Sequence, residues 1–332
     1  MTDAPLIDTF ARRIDYVRLS VTDRCDLRCT YCMPERMVFR PREKLLSIAE
    51  LEQLASAFVA RGIRRIRLTG GEPLVRRGVM QLVGTLGVMV GGGLDELTLT
   101  TNGMQLVRHA KGLYAAGVRR VNVSLDTIDA AIFAQIARRD GLAQVLGGID
   151  AAQAAGLRVK INVVAQRDVN TAQLPGLIAW AHGRGCDVTL IEAMPMGTVD
   201  HARAERFVGL GELRDTVLSH LTLEPIAYRT SGPAQYFRVA ETGGRLGMIT
   251  PLSDNFCAGC NRIRVSATGQ LYPCLGGTRA VDLRAALRGD DPEKQLACGI
   301  DQAMATKPER HDFFIGAEAE RGPARHMSVT GG

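Results

Sequence analysis

Aromatic side chains are scarce in this sequence: they make up 5% of its 332 residues, and only one of them is tryptophan. Proteins that bind single-stranded nucleic acid combine a basic groove with aromatic rings on which the bases stack. The chain carries basic charge, a net +6 at pH 7, but few rings. Nucleic acid is therefore a poor candidate for its partner. The charge indicates either an anionic small molecule or an ordinary solvated surface.

Long apolar runs are absent as well. The most apolar stretch, Leu82 to Leu94, has 13 residues with five glycines, which is too short to span a bilayer. The first residues, "MTDAPLIDTFARRIDYVRL", lack the apolar centre of a signal peptide. We therefore expect a cytoplasmic protein with no membrane partner. Because the cytoplasm keeps thiols reduced, its eight cysteines indicate metal or redox chemistry rather than disulfides.

Short β-rich runs alternate with amphipathic helical stretches in the first part of the chain. One helix begins at a capping box, in which Glu50 lies three residues after Ser47, and closes on Gly62. Six successive β-then-α units predict a parallel sheet with right-handed crossovers. Six units do not complete an eight-stranded barrel, so a partial barrel and a doubly wound sheet are both open. The predicted strands are Asp15–Thr22, Arg64–Gly70, Asp95–Thr101, Arg119–Leu125, Arg158–Val164 and Asp187–Ala193, and the further predicted helices are Met104–Ala116, Asp129–Arg138, Leu142–Ala155 and Thr171–Arg184.

Small and polar residues follow each predicted strand. They form the segments "TDRCDLRC", "TGGEP", "TTNG", "SLD", "AQRDVN" and "EAMPMG". In parallel α/β folds the carboxyl ends of the strands form the ligand-binding rim. Any one of these segments could be an ordinary turn, but six in series, one of them with three cysteines, predict a single functional mouth.

The pattern changes after Asp200. A helical stretch, Leu210 to His220, leads to a predicted hairpin in which "ETGG" joins "QYFRVA" to "RLGMI". A segment with three cysteines follows, and then two short helical segments between Val281 and Ala305. We therefore divide the chain into a barrel segment, residues 1–225, and a C-terminal extension, residues 226–332.

Three cysteines in the first loop, Cys25, Cys29 and Cys32, have the spacing C-x3-C-x2-C. A [4Fe–4S] cluster is normally held by four cysteines. Three would fix three irons and leave the fourth open for a small molecule, as a catalytic zinc site keeps one position free. A zinc site completed by a distant residue and a group of reduced buried cysteines are the alternatives.

A second set of three cysteines has the spacing C-x2-C-x13-C and consists of Cys257, Cys260 and Cys274. It predicts a second [4Fe–4S] cluster with its own open iron. The alternative is a zinc ribbon with Cys298 as a fourth ligand. Cys186 and Cys298 match no motif, and single cysteines of this kind are usually small buried hydrophobes.

The first cysteine loop resembles that of the radical S-adenosylmethionine (SAM) superfamily, C-x3-C-x-aromatic-C, and "TGGEP" is similar to the GGEP segment of that superfamily. The resemblance implies that SAM chelates the open iron through its amino and carboxylate groups. Reduction of its sulfonium by one electron would then yield a 5′-deoxyadenosyl radical. The glycines would let the backbone approach the ligand, and Glu72 would balance the ammonium. The implied SAM contacts are Tyr31, Gly70, Gly71, Glu72, Ser124 and Met194.

Further motifs narrow the resemblance to the GTP 3′,8-cyclases of molybdenum cofactor synthesis. "CNRIR", Cys260 to Arg264, matches the C-N-R-x-R signature of that family, and the similarity covers essentially the whole chain through "RLSVTDRC", "TTNG", "SGPAQYF" and the final Gly-Gly. The resemblance implies a partial (β/α)6 TIM-like barrel with a C-terminal α+β extension that carries the second cluster. The open iron of that cluster would bind guanine, and arginine forks would hold the triphosphate.

The residues that would contact GTP are mostly basic. Lys160 is one of only five lysines and lies inside a strand pattern, where an unpaired charge is costly. A strand-end salt bridge is the alternative role for Arg18 or Arg67. The implied GTP contacts are Arg18, Arg67, Thr100, Lys160, Arg262, Ile263 and Arg264, and the implied catalytic residues are Arg262, Arg264, Gly331 and Gly332.

One position departs from the family pattern, and the last two residues carry a further expectation. The family commonly has an arginine where this chain has Thr189, so one phosphate or ribose contact is either missing or supplied by a neighbour such as Arg184. The Gly-Gly tail would reach into the active site, whereas fraying is the ordinary expectation for a terminus.

The implied reaction begins when the radical abstracts the hydrogen from C3′ of GTP. The C3′ radical then adds to C8 of guanine, and a further electron and proton complete (8S)-3′,8-cyclo-7,8-dihydroguanosine 5′-triphosphate. The implied partners are a reductant, either flavodoxin- or ferredoxin-like or chemical, a downstream cyclic pyranopterin monophosphate synthase, and a second copy of the chain in a homodimer. A radical SAM enzyme acting on a peptide and a non-enzymatic zinc or iron–sulfur protein are the rival hypotheses.

Overall fold

The computed structural model describes residues 5–200, 203–216, 218–316 and 320–331. No helix within these ranges is long and apolar enough to cross a membrane. The strands are β1 (Tyr16–Ser20), β2 (Arg65–Thr69), β3 (Glu96–Thr101), β4 (Arg120–Ser124), β5 (Arg158–Ala165), β6 (Asp187–Glu192), β7 (Leu223–Pro225), β8 (Gln235–Val239), β9 (Arg245–Ile249), β10 (Arg262–Val265), β11 (Gln270–Tyr272), β12 (Val281–Asp282), β13 (Phe314–Ile315) and β14 (Glu320–Arg321). The helices are α1 (Ile48–Ala60), α2 (Val79–Val88), α3 (Leu106–Ala115), α4 (Ala130–Ala137), α5 (Leu142–Ala154), α6 (Leu174–Gly183), α7 (Arg203–Arg206), α8 (Leu210–Thr216), α9 (Leu283–Leu287), α10 (Pro292–Ala305) and α11 (Met327–Thr330).

One twelve-stranded sheet, in the order β12-β11-β10-β1-β2-β3-β4-β5-β6-β9-β8-β7, organises the molecule. The eight strands from β10 to β9 in this order are all parallel. Six of them come from the repeated β-then-α units, and the C-terminal extension adds β9 beside β6 and β10 beside β1. The antiparallel strands at the two ends are short, which limits pairing with other chains.

Side chains on the strands alternate between two environments. On β1, Val17 and Leu19 are fully buried in the hydrophobic core, while Arg18 between them faces the opposite side. Alternation is the ordinary consequence of strand geometry. The sheet therefore presents an apolar face to the helices and a polar face to the interior of the barrel.

Most predicted elements are confirmed to within a few residues. The capping box is present: the Ser47 side chain accepts a hydrogen bond from the Glu50 amide, and the Glu50 side chain accepts one from the Ser47 amide. The hairpin forms between β8 and β9. Helix α2 was not among the predicted helices, because its four buried aliphatic side chains are interspersed with glycines that argue against a helix.

Candidate functional site

A large cavity lies at the carboxyl ends of the parallel strands, as the polar segments predicted. It encloses about 2130 Å³, including the solvent at its mouth. Each of the six polar segments contributes to its wall, and so do all six cysteines of the two sets.

The first cysteine loop follows β1 and is held from outside the cavity. The backbone amides of Arg28 and Thr30 donate hydrogen bonds to the last carbonyls of α4, at 3.0 and 2.9 Å. The Cys32 amide donates to the Cys29 carbonyl at 2.9 Å, which turns the loop so that its thiols face one space. The loop geometry is therefore set by main-chain contacts and leaves the sulfur atoms free for another ligand.

The thiols of this loop are protonated in the free protein, and a cluster that binds them has to displace their protons. Burial raises the pKa of Cys25 to about 12 and of Cys32 to about 11, and it raises that of Cys29 well above its usual value. Across the described ranges, no three Cys, His, Asp or Glu side chains converge tightly enough for a single metal ion. A cluster, by contrast, takes one cysteine on each iron, and three thiols on one cavity wall fit that requirement.

The "TGGEP" turn lies directly against the cysteine loop. A Cβ on Gly70 would lie 2.3 Å from the Thr22 carbonyl oxygen, and one on Gly71 would lie 2.3 Å from that of Arg24. Both glycines line the cavity. They are needed for close approach of the two backbones as well as of a ligand, a reason that the sequence did not reveal.

Glu72 is fully buried and does not line the cavity. Its carboxylate accepts hydrogen bonds from the Leu74 amide at 2.9 Å, the Thr101 hydroxyl at 2.8 Å and the Asn102 amide at 2.6 Å. Burial raises its pKa to about 7 despite these donors. In this structure Glu72 joins the glycine turn to β3, and its predicted contact with an ammonium group remains a prediction.

The remaining predicted SAM contacts, Tyr31, Ser124 and Met194, all line the cavity. The Tyr31 hydroxyl donates to Asp126 at 2.9 Å, and the amide of Val164 donates to the other oxygen of that carboxylate at 2.8 Å. These bonds connect the cysteine loop to the ends of β4 and β5. The predicted contacts are therefore adjacent in space.

Gln166 is a residue of the cavity wall that the sequence prediction missed. Its side chain is 1% exposed, lines the cavity and, within the described residues, has no hydrogen-bond partner on either its oxygen or its nitrogen. Its backbone amide is fixed by the Asn170 side chain at 2.8 Å. Buried polar groups are nearly always paired, so a free amide here indicates a ligand. The signal in the sequence was its place in "AQRDVN", directly after β5.

The second cysteine set approaches the cavity from β10 and β11. Cys257 and Cys260 lie on a short turn before β10, and Cys274 follows β11. Burial of Cys260 would raise its pKa, but the nearby charges of Lys307 and Arg262 outweigh burial and lower it to about 7. The two sets therefore share one cavity but differ in electrostatic surroundings.

A row of basic side chains lines the same cavity as the two cysteine sets. Arg264, Arg18 and Arg67 are register neighbours on the adjacent strands β10, β1 and β2, and Thr100 and Lys160 are joined through Asn122 on β3, β4 and β5. All of these residues line the cavity. The strand register, rather than sequence proximity, therefore brings the predicted GTP contacts together.

These cations are buried without counter-ions. In the described part of the chain, Arg18, Arg67, Arg264 and Lys160 make no ion pair, and the side-chain Nε atoms of Arg18 and Arg67 and the hydroxyl of Thr100 have no hydrogen-bond partner. Burial and the charge of Arg67 lower the pKa of Arg18 to about 9, and burial lowers that of Arg264 well below its usual range. Buried unpaired charge is costly, and a polyanion in the cavity would relieve that cost.

The charge of Lys160 changes closer to neutral pH than that of Arg18. Lys160 is 7% exposed, its ammonium donates to the hydroxyl of Tyr236, and it lies 4.9 Å from the centre of that ring. Burial, followed by the charges of Arg67 and Arg120, lowers its pKa to about 7. Tyr236 lies in the "SGPAQYF" segment but was not itself predicted to belong to the site.

Three residues named in the sequence analysis do not line the cavity. Ile263 is 1% exposed and packs in the core, because strand alternation points it away from the cavity that Arg262 and Arg264 face. Thr189 is fully buried and its hydroxyl has no partner among the described residues. Arg184 cannot replace the missing arginine: it precedes β6, at the opposite end of the strand from the cavity, where it pairs with Asp150 and lies over Trp180.

The C-terminal segment turns into the cavity. Gly331 is buried, with φ +73°, and its carbonyl accepts a hydrogen bond from Arg264. A Cβ at this position would lie 2.1 Å from the Thr69 hydroxyl, so only glycine fits. Gly331 thus lies beside a predicted GTP contact, whereas Gly332 lies outside the described residues.

Two family models match consecutive parts of the chain. The model described as the radical SAM superfamily matches residues 19–181, and the model described as Molybdenum Cofactor Synthesis C matches residues 186–313. Among curated relatives, a GTP 3′,8-cyclase of Erythrobacter litoralis is 62% identical over 332 residues, which cover 100% of each chain. A GTP 3′,8-cyclase of Rhizobium meliloti is 58% identical over 100% of this chain and 95% of its own.

Solved structures of lower identity share the fold. Streptococcus suis SuiB bound to S-adenosylmethionine has a TM-score of 0.62 at 15% identity, over 83% of this chain and 64% of SuiB, so the chain spans less than two thirds of that protein. Native anSMEcpe with bound AdoMet has a TM-score of 0.53 at 14% identity, over 86% of this chain and 83% of its own. The predicted partial barrel with a C-terminal extension is confirmed.

Proposed function

The chain belongs to the GTP 3′,8-cyclase family of radical SAM proteins, and we propose that it converts GTP to (8S)-3′,8-cyclo-7,8-dihydroguanosine 5′-triphosphate in molybdenum cofactor synthesis. The observation that carries the proposal is a row of buried cations, without counter-ions among the described residues, in the cavity that also contains the two sets of three cysteines. A nucleoside triphosphate supplies the missing negative charge. The molybdenum cofactor synthesis model over residues 186–313 supports the same substrate.

The first cysteine set would hold the cluster that binds SAM, and together they would supply a 5′-deoxyadenosyl radical for removal of the C3′ hydrogen of GTP. The chain's own residues position the cysteine loop and the surface that binds the ligand. Tyr31 and its partner Asp126 fix the cysteine loop against β4 and β5. Gly70 and Gly71 let their turn pack closely against the cysteine loop, so that the ligand binds to a preformed surface. The proposed SAM contacts are Tyr31, Gly70, Gly71, Glu72, Ser124 and Met194.

The second cysteine set would hold the second [4Fe–4S] cluster, beside the guanine. Arg18, Arg67 and Arg264 would take the triphosphate, because guanidinium groups match phosphate oxygens in pairs. Lys160 and Thr100 complete the row on the neighbouring strands. Arg262, the backbone of Ile263 and the tail at Gly331 would close the site around the nucleotide. Closure would keep water from the reacting atoms.

The proposed reaction implies particular partners and a cellular location for the enzyme. The reaction needs a reductant of the flavodoxin or ferredoxin type, or a chemical one, and its product requires a downstream cyclic pyranopterin monophosphate synthase. We infer a cytoplasmic location, which is consistent with eight free cysteines in the described structure. A homodimer is the expected assembly.

The test is anaerobic purification, reconstitution with iron and sulfide, and incubation with SAM, a reductant and either GTP or ATP. We expect 5′-deoxyadenosine and a cyclised nucleotide only when GTP is present. Bound zinc in place of iron, or 5′-deoxyadenosine formed independently of GTP, would overturn the proposal.

Two arginine variants test whether GTP binds in this cavity. Arg18→Gln removes an unpaired cation from the cavity and is expected to weaken GTP binding at least tenfold. Arg245→Gln is the matched control, because Arg245 also lies on a strand but pairs with Asp187 at 3.0 Å and does not line the cavity. Equal losses in the two variants would argue for a general effect of charge.

A further inference from the structure

Lys307 is a buried cation that touches a cysteine of the second set. It is 2% exposed and follows α10. Its ammonium donates to the carbonyl oxygen of Pro273 at 2.7 Å and to that of Arg262 at 3.0 Å, and it lies 3.5 Å from the sulfur of Cys260. Three acceptors therefore use the three protons of the ammonium, and no carboxylate pairs with it in the described residues.

We propose that Lys307 is a positioning residue that raises the reduction potential of the second cluster through a charge-assisted hydrogen bond to the Cys260 sulfur. Hydrogen bonds to the cysteine sulfurs and local charge set the potential of iron–sulfur clusters. A positive charge held at this sulfur favours the reduced, more negative cluster. The proposal depends on the proposed function only in that a cluster occupies this cysteine set.

The first cysteine set has more acidic groups around it than the second, although the cation Arg203 lies near Cys32. The sulfur of Cys25 accepts from the neutral Leu27 amide at 3.4 Å and from the neutral Asn102 amide at 3.7 Å. Asp26 lies beside that asparagine, and Asp126 bonds to Tyr31 within the loop. Acidic groups near a cluster disfavour added negative charge. The two clusters should therefore differ in potential, and the second should accept an electron before the first.

A purely structural role would predict something else. Lys307 links the turn before β10 to the end of β11, and loss of that link alone would loosen the cysteine set without changing the potential of a cluster that still assembles. Lys307→Met removes the charge and keeps the length of the side chain. Lys307→Arg keeps the charge and serves as the conservative variant.

The test is a redox titration of the reconstituted full-length protein followed by electron paramagnetic resonance. Replacement of Cys25, Cys29 and Cys32 by alanine, in a separate sample, identifies the signals of the second cluster. We expect Lys307→Met to lower the midpoint potential of the second cluster by at least 59 mV, a tenfold change in the ratio of its redox states. Lys307→Arg should restore most of the shift, and the first cluster should not move.

Two outcomes would overturn the proposal: an assembled second cluster with unchanged potential in Lys307→Met, or equal shifts in the methionine and arginine variants. If Lys307→Met does not assemble the cluster, the hydrogen bond is tested in the wild-type protein. The proton magnetic resonance spectrum of its reduced cluster is compared between water and deuterium oxide. An exchangeable proton coupled to the second cluster is expected, and its absence refutes the hydrogen bond. None of these measurements uses GTP, so their failure is distinct from failure of the proposed reaction.

Discussion

At the scale of single residues, Lys160 is buried and has no counter-ion among the described residues. Its pKa falls from an ordinary 10.5 to about 7 because of burial and the nearby arginines. The unfolded chain therefore binds more protons than the folded one between about pH 7 and pH 10.5. Over that window, this lysine makes the stability of the free protein rise with pH.

Binding of GTP should reverse this shift. A triphosphate beside Lys160 favours the ammonium form, so the complex takes up a proton above pH 7. We expect the affinity for GTP to fall as pH rises above 7, by up to about tenfold per unit, and expect proton uptake in calorimetry with buffers of different ionisation enthalpy. Lys160→Met should bind GTP more weakly, with a flatter pH profile. An unchanged profile in that variant would place the titrating group elsewhere.

Gln166 should show opposite effects on stability and on binding. Its amide is buried and has no partner among the described residues, so Gln166→Leu should leave the thermal stability of the apoprotein unchanged or higher. Asn170 joins Gln166 to Asp126, the partner of the proposed SAM contact Tyr31. The same change should therefore weaken SAM binding by about 1 kcal/mol, roughly fivefold, through loss of a hydrogen bond to the ligand. Anaerobic equilibrium dialysis with SAM and with GTP measures both affinities.

The matched control for Gln166 is its neighbour Asn170. That amide is fully paired: it donates to the Asp126 carbonyl at 2.9 Å and the Val164 carbonyl at 3.0 Å and accepts from the Gln166 amide. Asn170→Leu should therefore destabilise the apoprotein by about 1–3 kcal/mol. If Gln166→Leu is equally destabilising and binds SAM normally, the free amide has no ligand.

At the scale of elements, strand alternation and turn composition were readable from the sequence, but packing between elements was not. The six polar segments predicted the mouth of the barrel because each strand exit carries its own signal. Glu72 shows the limit: its motif suggested a ligand contact, which remains a prediction, but did not reveal that its carboxylate accepts three hydrogen bonds within the protein. Ile263 is a second example: its side chain packs in the core, and the motif did not indicate which side of the strand it faces.

The C-terminal helix α11 is followed by Gly331, where a single substitution would displace the end of the chain. Gly331→Ala places a Cβ 2.1 Å from the Thr69 hydroxyl at a positive φ and should displace the tail from Arg264. Since misplacement by about 1 Å can cost about 100-fold in rate, we expect a loss of that order in kcat with normal cluster content.

Gly277→Ala is the control for this substitution. Gly277 lies near the second cysteine set, but its added Cβ would be 3.5 Å from the nearest atom, which is ordinary contact. Near-normal turnover is therefore expected. Normal turnover in Gly331→Ala, or after deletion of Gly331 and Gly332, would show that the tail has no part in the reaction.

At the scale of the whole molecule, the six β-then-α units and the C-terminal extension share one sheet, so we expect them to fold together. The sequence predicted a boundary at residue 225, and that boundary remains a prediction about the roles of the two segments. The structure places β9 beside β6 and β10 beside β1, so strands from the extension cover both edges of the six-stranded core. Local patterns could not predict this arrangement, because these partners are far apart in sequence.

A fragment of residues 1–225 should therefore fail to fold by itself. Its β1 edge consists of five buried residues, and its β6 edge has four buried residues of six; unpaired, both would promote aggregation. We expect the fragment to be insoluble or to bind hydrophobic dyes, and to become soluble when residues 226–332 are co-expressed. A chain of residues 1–313 keeps the whole sheet and should stay soluble. A monomeric 1–225 fragment that unfolds cooperatively would instead establish the barrel segment as an independent domain.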